Sequence, residues 1–111
     1  MIKKIYRLKE SEVKKVLRFS KPFFSYNIVL NSSNNNLYNR FAIIISKTVI
    51  NAVNRVFFRR LFYSIINNNI FTQKHKDLVF IVKKQTKLDK NDFNSINTFK
   101  RDLLFLLKNN T

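Results

Sequence analysis

Between Arg40 and Ile66 the sequence turns from a short, unbroken apolar run into a long helix-forming stretch, and that corner limits the folds open to the chain. Arg40-Phe41-Ala42-Ile43-Ile44-Ile45-Ser46 reads as a strand, buried enough to be continuously apolar. Asn51 to Ile66 then predicts a central helix, with Asn51 as its N-cap. At about 100° per residue, Val53, Phe57, Leu61, Phe58, Ile65 and Phe62 fall in one broad sector, the expected core face. Arg55, Arg59 and Arg60 fall on the opposite side, with Ala52, Val56 and Tyr63 among them. Arg55 and Arg59, at i and i+4, are spaced to reach one ligand. Cations at a strand-to-helix corner, in a chain of net charge +16, predict a docking edge for a polyanion.

The flanking sequence supplies the remaining elements. Val13, Val16, Leu17 and Phe19 repeat at helical spacing and predict a helix over 10–19, with Ser11 or Ser20 open as a cap. Pro22 breaks that helix. Phe23 to Leu30 reads as a strand, Ser32 to Asn36 as a polar loop, Phe71 to Lys76 as a loop and Leu78 to Val82 as a further strand. Asp89 is the expected cap of a final helix, with Asp92 in its first turn complementing the macrodipole. Phe93, Ile96, Phe99, Leu103, Leu106 and Leu107 form its apolar stripe. Strands mixed with three helices mean α+β or α/β, with helices packed on one sheet face. The 111 residues suit one domain over 1–111.

Composition narrows the partners. The chain carries 22 Lys and Arg against 6 Asp and Glu. Such a field speeds encounter with nucleic acid or an anionic membrane, and it strains the compact state by self-repulsion. Low stability without anions is therefore expected. The absence of cysteine excludes disulfide and thiolate chemistry. No apolar run approaches the roughly 20 residues of a membrane-spanning helix. Arg7, Lys9, Glu10 and Glu12 stand where a signal peptide needs apolar residues, so cytoplasm is the expected location. With no glycine in the sequence, left-handed turn positions fall to asparagine, and Asn34-Asn35-Asn36 and Asn67-Asn68-Asn69 are candidate turns.

Catalysis by the protein itself finds little support. The acids are Glu10, Glu12, Asp77, Asp89, Asp92 and Asp102. Glu10 and Glu12 diverge on a helix, and Asp89 and Asp92 have a helix end to explain them. No pair has the spacing of converging metal ligands. His75, in a basic loop, reads as a solvated side chain, and Ser46 has no histidine partner in view. No catalytic or metal-ligating residue is expected.

Several ordered motifs give a sharper expectation. Ser46, Lys47, Val49, Ala52, Val53, Arg55, Arg59 and Arg60 fit, without a gap, the pattern S-K-x-V-G-x-A-V-x-R-N-R-x-K/R-R. The segment resembles the signature helix of the bacterial ribonuclease P protein subunit. Arg7-Leu8-Lys9 with Ser11-Glu12 and Val16-Leu17-Arg18 is similar to the family's opening helix, and Arg40-Phe41 to its strand arginine. Val79-Phe80-Ile81-Val82-Lys83-Lys84 is similar to its late strand, which ends in two basic residues. The departures are Ile50 for a glycine, and Val56 and Phe57 for the Asn and second Arg of R-N-R.

The resemblance implies a single-domain α-β sandwich of order α-β-β-β-α-β-α, like the second domain of a small-subunit ribosomal protein. It also implies a left-handed βαβ crossover, against the general preference. The function implied is that of a ribonuclease P subunit, assisting endonucleolytic 5′ maturation of tRNA. Its partners would be the catalytic RNA, in a 1:1 complex with a protein monomer, and precursor tRNA. Bond breaking would belong to the RNA, with Mg2+ held by RNA and substrate. Arg40, Lys47, Asn51, Asn54, Arg55, Arg59 and Arg60 would face RNA. A cleft for the 5′ leader, between first helix and sheet, would be lined by Val13, Leu17, Phe23 and Tyr26, with Lys14 and Arg18 adding charge. A core position is equally open to the aromatics Phe23, Phe24 and Tyr26. Alternation puts Phe24 and Tyr26 on one face and Phe23 on the other, and favours Tyr26 as exposed. The rival reading is a ribosomal or other structural RNA-binding protein; an anionic-membrane binder is disfavoured because the cations are spread along the chain.

Overall fold

The computed structural model describes residues 4–35, 38–46, 51–68, 76–84 and 86–110. A 3-10 turn at Lys4–Tyr6 leads into α1 (Glu10–Phe19), β1 (Pro22–Phe24), β2 (Ile28–Asn34), β3 (Arg40–Ile44), α2 (Ala52–Asn68), β4 (Lys76–Val82) and α3 (Phe93–Asn110). The strands form one mixed sheet in the order β1-β2-β4-β3. β3 pairs parallel with β4, and the other pairings are antiparallel. The order is the α-β-β-β-α-β-α expected, with the strands before α2 divided differently from the sequence reading.

Strand alternation feeds two apolar layers. On one face Ile28, Leu30, Phe41, Ile43, Leu78, Phe80 and Val82 meet α2 and α3 in the main core. Phe62 packs edge-on against Phe80, with ring centres 5.2 Å apart, and Phe58 against Phe99 at 5.1 Å, the arrangement that ring quadrupoles favour. On the other face Ala42 and Val79 are buried against Val16 of α1, with Leu8, Val13, Leu17 and Ile81 around them. Helices therefore cover both faces, not one. That explains why β3 and β4 carry apolar residues without alternation.

Local chemistry accounts for the shifted boundaries. The strand expected over Phe23 to Leu30 is two, broken where the Ser25 hydroxyl accepts the Ile28 N–H at 3.2 Å and donates to the Ile28 carbonyl at 2.9 Å. Ser32, Ser33 and Asn34 are not loop. They extend β2 and pair with Leu78, Asp77 and Lys76, because β4 offers a backbone ladder and Asp77 gives their side a polar corner. Lys76 likewise opens β4 rather than closing a loop. Asn51 caps α2 as expected, its Oδ1 accepting the Asn54 N–H at 2.9 Å. Asp92, not Asp89, caps α3. Its Oδ1 accepts the Asn94 N–H at 3.1 Å, whereas Asp89 closes the preceding turn onto the Asn91 N–H at 2.9 Å. Phe93 leaves the predicted stripe and stands exposed. No described residue has positive φ; Asn34 lies in β2 and Asn67 in α2, while Asn36, Asn69, Phe71 and His75 lie outside the described residues.

Candidate nucleic-acid interface

The central helix sits rotated from its expected orientation. Phe58, Phe62, Tyr63 and Ile66 are buried, while Val53 is 58% exposed and Val56 46%. Phe57, Leu61 and Ile65 lie between, packed at the core margin. Apolar residues occur all round this helix, so periodicity alone does not select a core face. The selection is made by Phe80 below and Phe99 of α3 beside it.

The rotation separates the arginines. Arg55 is half-buried, Arg59 and Arg60 exposed. Arg59 lines a depression with Lys4, Arg7 and Lys9 from the chain's start, floored by Ala42, Ile44 and Tyr63. Burial holds the Tyr63 hydroxyl above its ordinary pKa, and the cations Arg7 and Arg59 pull it partly back. Arg60 is about 100° further round the helix from Arg59. There it borders a second depression with Val53, Val56 and Lys90. Arg59 and Arg60 thus serve two neighbouring surfaces instead of one opposite the core.

Other predicted site residues have structural partners. The Arg40 Nε and Nη2 donate to the two oxygens of Asp77 at 2.8 and 2.9 Å, and Nη1 to the Glu12 carboxylate. Asn35 also donates to Asp77, at 2.6 Å. Arg40 is therefore a bridge fastening α1 to β3 and β4, and Asp77 foremost raises its pKa further. The Glu12 carboxyl falls below its ordinary range, first through the Lys9 N–H and then through Arg40. Asn54 accepts the Lys90 N–H at 3.0 Å, pinning the segment before α3 to α2. Lys47 lies outside the described residues.

Around α1 the sheet is incompletely covered. Val13 and Leu17 turn toward it, half-buried against Val79 and Ala42. Lys14 and Arg18, one turn apart, stand exposed on the helix, and Lys14 meets Glu10 at 3.5 Å. By register Ala42, Val79, Val29, Ile81, Ile44 and Phe24 share this face. Val29 and Ile81 stay half-buried, and Ile44 and Phe24 are exposed. Lys83 sits 5.6 Å from the Phe24 ring centre and donates to the carbonyls of Ser25 and Tyr26 at 3.1 and 3.0 Å. Tyr26 is 83% exposed at the turn. Phe23 does not join this face. It stacks on Phe105 of α3, with centres 6.4 Å apart. Phe24, which the sequence leaves open between core and cleft, lies on the cleft side, and Ile44, Ile81 and Lys83 are additions that the sequence reading of the site passed over. Strict alternation from Val79 through Ile81 to Lys83 is the signal that would have found them.

The described surface thus offers an apolar strip beside α1 and a cationic α2. Among the described residues no helix is long and apolar enough to cross a membrane.

A family model described as Ribonuclease P matches residues 2–108. No curated protein matches the sequence. Among solved structures, a Staphylococcus aureus RNase P protein mutant with defective mRNA degradation activity superposes with TM-score 0.78 at 21% identity, over 95% of this chain and 87% of that one. The RNase P protein from Thermotoga maritima superposes with TM-score 0.77 at 22% identity, over 95% and 97%. Those likenesses are of fold; the sequence match spans nearly the whole chain. The chain belongs to the ribonuclease P protein family, the protein partner in the ribonucleoprotein that processes tRNA.

Proposed function

We propose that this chain holds both the catalytic RNA and the 5′ leader of precursor tRNA, on two adjoining surfaces that meet where Arg59 borders Val13 and Ile44, while the RNA cleaves the phosphodiester. The observation that carries this division is the sheet face beside α1, where apolar side chains stay half-open next to Lys83. A leader varies in sequence, so its site must accept any base. Apolar and aromatic surface does so, because every base has a π-face. Val13, Leu17, Phe24, Ile44 and Ile81 would supply that surface and Lys83 the backbone charge. Tyr26, Lys14 and Arg18 would serve its approaches.

Arg55, Arg59 and Arg60, with Lys47, Asn51 and Asn54, would lie against the catalytic RNA. Guanidinium groups suit that role because they grip phosphate with two parallel hydrogen bonds and stack on bases. Arg40 would act there indirectly, by holding α1 to the sheet that carries the cleft.

Among the described residues the carboxylates form no cluster that could hold a metal ion. Glu12 and Asp77 neutralise Arg40, Asp92 pairs with Lys87, and Asp102 accepts from Asn27. Mg2+ is therefore assigned to RNA and substrate phosphates, where it would supply Lewis acidity. A net charge of +16 opposes self-association, which favours one protein per RNA. We place the complex in the cytoplasm. Reconstitution with the cognate catalytic RNA and a precursor tRNA at low magnesium tests the reading: the protein should accelerate 5′ cleavage, and an unchanged rate would reject it.

A further inference from the structure

We infer that the outer face of the first half of α2 takes up an unstacked nucleobase of the RNA partner, in the apolar depression between Val53, Val56 and Lys90. This rests on the RNA-subunit role proposed above and adds a chemistry to it: base contact beside phosphate contact.

The depression measures about 430 Å3 and is lined by Ala52, Val53, Val56, Phe57, Arg60 and Lys90. Its walls are fixed. The Lys90 N–H is held by Asn54, and the Phe57 ring is braced edge-on by Phe58, with centres 5.2 Å apart. Phe57 therefore floors the depression without filling it. Val53 and Val56 contribute neither hydrogen-bond donor nor charge, so the centre of this surface has nothing to offer a phosphate. Arg60 and Lys90, on its rim, do.

The occupant follows from charge and shape together. No carboxylate lines the depression, so its partner brings negative charge to the rim and apolar surface to the centre. A second copy of the chain would set one +16 molecule against another, a repulsion that two valines do not offset. A base splayed from a single-stranded or bulged segment meets both demands. Its face covers the valines, and its own and neighbouring phosphates reach Arg60 and Lys90.

Salt dependence separates base contact from phosphate contact. Each phosphate neutralised by a cation adds to the slope of log affinity against log salt, whereas apolar base contact adds none. Binding of the cognate catalytic RNA to Val53→Ser/Val56→Ser should weaken about tenfold at every salt concentration, with the slope unchanged. Arg60→Ala should instead flatten the slope by about one unit. Dimethyl sulfate probing of the RNA should show an unpaired nucleotide, protected by the natural protein, becoming reactive with the double variant. Serine and valine have similar helix propensity, and both positions are solvent-facing. Should the double variant nevertheless melt early, Val53→Ser alone carries the same comparison.

Unchanged affinity, unchanged base reactivity or a flattened slope in the valine variants would overturn the inference. So would a concentration-dependent dimer of the natural protein that the variant loses. Failure of the natural protein to bind the RNA would instead reject the subunit role itself.

Discussion

Arg40 is the residue whose role changes most between sequence and structure. The residues that follow it in sequence are apolar, and the carboxylate that engages it through two hydrogen bonds, Asp77, is 37 positions away. Nothing local announces that pairing, whereas the Asn51 cap, which acts over three residues, was legible at once. Short-range hydrogen bonds can be read from sequence; pairs made by strand register require the sheet. Arg40→Leu should destabilise the fold by about 2–3 kcal/mol in urea denaturation, less than the full cost of orphaning a buried charge because Asn35 still donates to Asp77. Arg40→Leu/Asp77→Leu should recover part of that loss. Glu12, held first by the Lys9 N–H and then by the same bridge, gives a pH dependence. Folding lowers the Glu12 pKa from its ordinary 4.5, so the folded state binds this proton less readily than the unfolded chain. The resulting stability is complete above 4.5 and is lost as the pH falls through the lowered value. Urea midpoints should drop on acidification, and Glu12→Gln should make that drop shallower.

Among the elements, α2 shows where periodicity stops being informative. An amphipathic count works when one side of a helix is polar, as in α1, where Val13, Val16 and Leu17 face the sheet as expected. In α2 apolar side chains surround the axis, and the packing of Phe80 and Phe99 decides which of them are buried. Tyr63, placed by the count among the cations, ends in the core, and Val53, placed in the core, ends in solvent. The consequence is measurable. Phe62 is fully buried and contacts both Tyr63 and Phe80, so Phe62→Ala should cost about 3–5 kcal/mol. Val53→Ala should change stability by less than about 0.5 kcal/mol. Equal losses from the two variants in chemical denaturation would mean that the helix is turned the other way. β1 and β2 teach a related lesson. The Ser25 hydroxyl splits what reads as one strand, and alternation within the short β1 before it puts Phe23 toward α3 and Phe24 on the side of α1, as the sequence predicts.

At the scale of the molecule, element order was legible because motifs spread along the chain fixed it, while the two-sided covering of the sheet was not. Helices on one face and helices on both satisfy the same sequence of elements; only the unalternating apolar character of β3 and β4 distinguishes them. Charge is the property that belongs to no element. Few of the 22 Lys and Arg have a carboxylate available when the chain holds only 6, and Glu12 and Asp77 are both committed to Arg40. The excess cations repel one another in the folded state more than in the expanded one, because folding brings them closer. An anion that binds the folded surface relieves that repulsion and also shifts the equilibrium by mass action. Both effects raise the melting temperature, but they separate by concentration. Sulfate acts by screening and weak binding and should need millimolar amounts or more, whereas the cognate RNA should act near its dissociation constant. Sodium chloride matched to the sulfate in ionic strength isolates the screening part, since screening depends on ionic strength and not on the anion's identity. A melting temperature that rises beyond its chloride control with low-millimolar sulfate, too dilute for exclusion of sulfate from the surface to matter, and further with stoichiometric RNA, would show localised anion sites on the folded surface. A temperature indifferent to all three would mean that the excess charge is already accommodated by its spacing, and that stability in this chain rests on the two apolar layers alone.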